Sequence, residues 1–168
     1  MSPVASIVSA WRGQSERDRV LQVVQPALIG LIDGTISTLA PIFAAAYAAG
    51  SHAALLVGIA AAVGAAISMG MSEALSDDGE LTGRGDAVAR GLVTGTATFL
   101  GGSAHALPFL IADVDRALTI AYAVVAVELF VIAFVRKRYL AVSMRSSLFQ
   151  VTLGGAIVAT MGFLIGHA

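Results

Sequence analysis

The sequence predicts an all-α membrane protein that crosses the bilayer five times, with its N-terminus in the cytoplasm and its C-terminus outside. Composition is the first observation behind that prediction. Of 168 residues, 57% are hydrophobic and only 12% charged, and the mean hydropathy is +0.85, too apolar for a water-soluble domain of this length. The second is patterning. A helix needs about 20 apolar residues to cross a hydrocarbon layer roughly 30 Å thick, and five such runs occur, at about 24–47, 53–78, 88–111, 117–135 and 148–165. The third is the placing of cations. Arg12, Arg17 and Arg19 precede the first run, Arg84 and Arg90 lie between the second and third, and Arg136, Lys137, Arg138 and Arg145 lie between the fourth and fifth; Arg116 alone falls on the other side. The positive-inside rule then puts the N-terminus and both basic joints in the cytoplasm.

Taken in order, residues 1–23 read as a cytoplasmic or interfacial segment. Its polar, amphipathic "GQSERDRVLQVV" is unlike a cleaved signal peptide. Residues 24–168 form one transporter-sized domain. The first span carries Asp33 within "LIGLIDGTISTLAPIFAAAYAAG" and a proline, Pro41; the third carries His105 and Pro108. Each proline removes a backbone donor and is expected to kink or interrupt its helix. The flanking "STLAPIF" and "SAHALPF" resemble each other and hint at an internal repeat. The second span runs on through "SMGMSEALSDDG" to a terminating Gly79, so Glu73, Asp77 and Asp78 ride on its extension and Glu80 lies just beyond. The fourth span holds Glu128. Small residues four apart recur, as at Gly30/Gly34, Gly58/Ala62/Ala66, Gly91/Gly95 and Gly162/Gly166. Such faces let helices pack closely, within one chain or, for at least one face, in a dimer.

Several function classes fall away. There are no cysteines, which removes disulfides and thiolate metal sites. The net charge of −1 and the topological placing of the cations give no stripe for nucleic acid. Neither an HExxH, nor a paired-carboxylate hydrolase spacing, nor a glycine loop for a nucleotide is present, so neither catalysis, ATP-driven pumping nor a bound cofactor is expected.

What remains is a short set of ionisable groups inside the spans: Asp33, Glu73, His105 and Glu128. A charge near the bilayer centre costs about 2.5–3.5 kcal/mol on insertion scales, so each needs a partner or a wet path. At 1.5 Å per residue, Asp33 lies ~9 Å and Met69 ~6 Å inside the cytoplasmic edge of the first and second spans. Met69 and Glu73, four residues apart, share a helix face. Carboxylate, thioether and carboxylate thus make a candidate metal site, the soft sulfur tilting it from Mg²⁺ or Ca²⁺ toward first-row transition ions. Asp77, Asp78 and Glu80 are candidates for metal capture, although "SDDGELTGRGD" also reads as a solvated turn. A histidine titrates near pH 6.5 in water, which makes His105 a candidate proton relay or exit ligand. Glu128 is a candidate for serving either the proton or the metal.

"DGTISTLAP" in the first span and "GAAISMGMSEALSDDGELTGRG" leaving the second, with "GGSAHALPFLI", "VELFVIAFVRKRY" and "FQVTLGGAIV", resemble the vacuolar iron transporter family, and within it the membrane domain of bacterial membrane-bound ferritin-type iron exporters. The resemblance implies a homodimer exporting Fe²⁺ in exchange for protons, with the ion path at or near the subunit interface. It also implies that Asp33 and Met69 line that path, with Glu73 as the acidic residue that follows. Two departures stand out. About a dozen residues replace the long glutamate-rich insert of eukaryotic members, and the ferritin-like domain is missing, so any iron delivery falls to the short acidic turn or to a separate ferritin-like partner.

The expected function is proton-coupled export of Fe²⁺ across a bacterial inner membrane, with Fe²⁺ as substrate and metal and proton competing for the same ligands. The ligand set equally suits Mn²⁺ or Co²⁺. A different class of function, a non-transporting anchor for an iron-storage protein, makes the intramembrane carboxylates dispensable.

Overall fold

A computed structural model describes residues 15–168. Arg12 and the first part of the expected interfacial segment lie outside the described residues. All regular elements among those described are helical: α1 (Glu16–Arg19), a π-helical turn (Val20–Val24), α2 (Gln25–Ser37), α3 (Leu39–Ser76), α4 (Ala87–Ala104), a 3₁₀ turn (Leu107–Leu110), α5 (Val114–Leu140) and α6 (Met144–Gly166). Ser15 caps α1 by accepting from the Asp18 N–H at 3.2 Å, and the chain runs on through the π turn into α2. Three stretches are long and apolar enough to cross a membrane: Glu16–Ser76, Val114–Leu140 and Met144–Gly166.

The first of these stretches reverses at Gly50, where φ is +82° and ψ −172°. Only glycine adopts that conformation without a steric penalty, so one residue serves as the whole joint between the first and second apolar runs. A milder irregularity falls at Thr38, with φ −89° and ψ −11°. Its cause is Pro41, which has no N–H to offer the Ser37 carbonyl one turn back. The third run, expected to be helical over 88–111, is α-helical only to Ala104. Pro108 cannot donate to the Ala104 carbonyl, and the chain tightens instead into 3₁₀ geometry, with the Phe109 N–H on the Ala106 carbonyl at 3.1 Å. Asp113 caps α5 and Ser143 caps α6, each accepting a backbone N–H, and α5 ends on a left-handed Ala141.

Beside an apolar core that includes Leu39, Ile42, Phe43 and Ile132, burial departs from that of a water-soluble bundle. Leu56, Ile67, Leu100, Leu110, Phe130, Phe134, Phe149 and Leu164 are exposed, whereas Thr35, Thr38, Glu73, Arg90, Thr94, Thr98, His105 and Glu128 are buried. Outward apolar side chains and inward polar ones fit a solvent that cannot hydrogen-bond. Near Gly50, Tyr47 shares a 2.8 Å hydrogen bond with Tyr122 and meets Phe163 edge-to-face and His167 at a tilt, a grouping typical of a membrane interface.

The small-residue faces each make close contacts within the chain. Gly30 and Gly34 of α2 rest on the Thr94 and Thr98 carbonyls of α4. Gly91 and Gly95 of α4 meet Gly70 and Ala66 of α3. Gly58 faces Ile42 and Ala106, and Gly162 and Gly166 of α6 lie on Ala40 and Ala44. At Gly34 an added Cβ lands on the Thr98 carbonyl oxygen, whereas at Gly154 it meets only the Ile36 Cδ1 at an ordinary 3.6 Å. Gly34→Ala is therefore expected to destabilise by about 1–3 kcal/mol through overpacking, and Gly154→Ala to stabilise by up to about 1 kcal/mol through reduced chain entropy. Thermal unfolding of the purified protein in detergent reads both.

Candidate functional site

Three polar groupings occupy the interior. The first closes the end of α3 against the start of α4. Glu73 Oε1 accepts from Arg90 Nε and from Arg84 Nη2, both at 2.8 Å; the second carboxylate oxygen takes part in neither ion pair. Arg90, only 1% exposed, also donates to the carbonyls of Arg84 at 3.1 Å, Gly85 at 2.7 Å and Asp77. A guanidinium has five N–H donors in a fixed fork, and here one arginine gathers the end of a helix, the following turn and an intrahelical carboxylate.

Asp77 and Asp78, expected as capture residues, organise that turn. Asp77 Oδ1 accepts the Gly79 N–H at 2.8 Å and its Oδ2 the Thr82 hydroxyl at 2.6 Å, while Asp78 Oδ1 accepts the Glu80 N–H at 3.0 Å. Glu80 itself is exposed. The Thr82 hydroxyl first, then the Gly79 N–H and the nearby Arg90 and Arg84 charges, outweigh desolvation and hold the Asp77 carboxyl below its ordinary value of 3.8.

The second grouping lies where the two proline-interrupted segments meet. His105, fully buried, places Nδ1 3.0 Å from Glu128 Oε2 and Nε2 2.9 Å from Thr38 Oγ1; the Thr38 hydroxyl in turn donates to the Gly34 carbonyl at 2.8 Å. Thr38 and His105 each sit three residues before a proline, at the points where α2 and α4 end. The structure thus brings together His105 and Glu128, predicted separately from sequence. Both ring nitrogens of His105 are engaged within the chain.

Asp33 is the third element. It sits half-buried on α2, its carboxylate accepting from Ser37 on the same helix. Met69 is also half-buried, one turn before Glu73 on α3. Among the described residues no group of three or more His, Cys, Asp or Glu side chains is placed to hold a metal ion. Sequence reasoning took Arg84 and Arg90 only as topological anchors and missed their role as partners of Glu73. The available signal was Arg90 itself, an arginine inside the apolar "AVARGLV", which needs an opposite charge. Thr38 carried no comparable signal.

Inward polar pairs, outward apolar surface and helices long enough to cross a bilayer define an integral membrane protein. A scan against known families identifies it further: the VIT family matches residues 77–167, more than half of the chain. The chain belongs to the VIT family, the vacuolar iron transporters, whose membership carries membrane metal-ion transport. The matched stretch includes His105 and Glu128; Asp33, Met69 and Glu73 precede it. No curated protein and no solved structure matches the chain.

Two outcomes are expected. Replacing Arg90 by Met leaves Glu73 only its partner Arg84 and strips the donor from the Arg84, Gly85 and Asp77 carbonyls, which should cost about 3–5 kcal/mol in a detergent melt, whereas Arg84→Met, at a partly exposed position, should cost clearly less. Thr82→Val removes the largest influence on Asp77, so NMR should show its carboxyl titrating nearer 3.8. Because the folded value is depressed, the associated stability is present above the ordinary value and lost as pH falls below it; Thr82→Val narrows that acid-sensitive window.

Proposed function

We propose that the chain is a proton-coupled secondary transporter that exports Fe²⁺ from the cytoplasm. Family membership together with the intramembrane carboxylate Asp33 carries this reading. In it the chain crosses a bacterial inner membrane five times: α2 with the first part of α3, the part of α3 beyond Gly50, α4 with its 3₁₀ extension, α5, and α6. The cation distribution sets the N-terminus and the Glu73–Arg90 cluster on the cytoplasmic side. At 2.0 Å per residue the 3₁₀ turn adds ~8 Å to the ~27 Å of α4, enough to cover the hydrocarbon layer.

Asp33 and Met69 line the path, and Glu73 contributes its unpaired oxygen while Arg84 and Arg90 hold the other. One chain brings too few ligands to a point, which favours a homodimer with the path at or near the subunit interface. An open apolar groove of about 530 Å³ between α3 and α4, lined by Ala66, Gly70, Met71, Gly91, Gly95 and Phe99, offers a face for the second copy. Metal and proton compete for the same carboxylates, so each ion's entry expels the other and exchange follows. Asp78 and Glu80 at the exposed turn attract the cation first, or receive it from a separate ferritin-like partner.

The test is efflux from metal-loaded proteoliposomes across a panel of Fe²⁺, Mn²⁺ and Co²⁺ under an imposed pH gradient. Fe²⁺ efflux should follow the gradient and fall at least about tenfold in Asp33→Ala, the loss of one charged interaction worth about 1.4 kcal/mol or more. Transport indifferent to the gradient, or unchanged in Asp33→Ala, sinks the scheme. Growth in toxic iron that survives both Asp33→Asn and Glu73→Gln favours an anchoring role instead.

A further inference from the structure

With the Thr38 hydroxyl donating to Gly34, the contacts around His105 call for a definite number of protons. A carbonyl only accepts, so the Thr38 hydroxyl gives its hydrogen to Gly34, and its oxygen then accepts from His105 Nε2–H. The other ring nitrogen faces Glu128 Oε2 at 3.0 Å, and that contact needs a proton of its own. It is either Nδ1–H beside a carboxylate or Oε2–H beside a neutral ring. In both cases the pair carries one proton more than a neutral histidine and an ionised glutamate, and its net charge is zero. Glu128 Oε1, buried with no hydrogen-bond partner among the described residues, fits a site that is costly to leave charged.

We infer that His105 and Glu128 form a single-proton store whose occupancy Thr38 reports to the break between α2 and α3. When the proton leaves, the pair goes from neutral to −1 and one ring proton remains. Placed on Nε2, it leaves the lone pairs of Nδ1 and Oε2 opposed at 3.0 Å. Placed on Nδ1, it satisfies Glu128, and the Thr38 hydroxyl must rotate to donate to Nε2, giving up the Gly34 carbonyl. Discharge is thereby tied to release of a backbone carbonyl next to Asp33. Nothing else ionisable crowds the pair: α4 has no titratable residue between Arg90 and His105, α3 none between His52 and Glu73, and α6 none between Arg145 and His167. On α5 the nearest are Tyr122 and Arg136, and on α2 Asp33 is alone. The link to metal movement rests on the transport reading; the proton store does not.

The test uses the full chain in lipid nanodiscs without metal. Glycine labelled at the carbonyl and threonine labelled with ¹⁵N give two Gly–Thr signals, Gly34–Thr35 and Gly95–Thr96, alongside ¹⁵N-imidazole histidine. As the pH is raised until the pair loses its proton, His105 should pass from Nε2-protonated to Nδ1-protonated. The Gly34 carbonyl should shift with the same midpoint while Gly95 stays fixed. Thr38→Val should abolish the Gly34 shift and Thr38→Ser restore it; Glu128→Gln should hold Nε2 protonated throughout. A His105 bearing only Nδ1–H beside ionised Glu128 at the acid end overturns the proposal, as does a Gly34 signal that stays fixed while His105 titrates. Failure of metal efflux in vesicles would overturn the transport reading and leave this result standing.

Discussion

A polar group inside this protein gains most by finding a partner within the chain, because an apolar layer supplies none. That constraint explains why Glu73 is bound to two guanidiniums, why a fully buried histidine has both nitrogens engaged, and why threonine hydroxyls such as Thr98 turn back onto a carbonyl of their own helix at 2.9 Å. It also sets how closely the helices pack. Short-range polar contacts need backbones close together, and glycine faces such as Gly30/Gly34 on Thr94/Thr98 supply that closeness.

The two prolines belong to the same logic. Each ends a regular run three residues upstream, and the residues left there, Thr38 and His105, bond to one another. A helix interrupted in a membrane exposes backbone groups that must be re-satisfied; here one hydroxyl serves a freed region of the first helix and a ring from the second at once. The resemblance between "STLAPIF" and "SAHALPF" thus has a structural counterpart, two breaks that face each other.

Much of the helical order was legible because its signals are local: run length, proline, Asp and Ser caps, and glycine. Asp33, Glu73, His105 and Glu128 stood out because charge is rare in apolar spans. What was not legible was pairing. Arg90 reaches Glu73 across a turn of intervening chain, and His105 reaches Glu128 on another helix; neither contact has a fixed sequence spacing, since both depend on how α3, α4 and α5 pack. The same reason hid Thr38, whose residue type is ordinary in a helix and whose position is not. That Gly50 alone makes the reversal between the first two runs was likewise not legible, because a glycine at positive φ has no signature beyond its identity.

That joint has a mechanical consequence. A reversal made by one residue has no slack, so it fixes the lengthwise register of the two arms that leave it. Asp33 and Met69 sit 17 and 19 residues from Gly50 on opposite arms, roughly 25–29 Å out along helical rise, so a rotation of about 10° at the joint moves either by about 5 Å. The level at which Asp33 and Met69 stand along the two arms is thus set by a single residue.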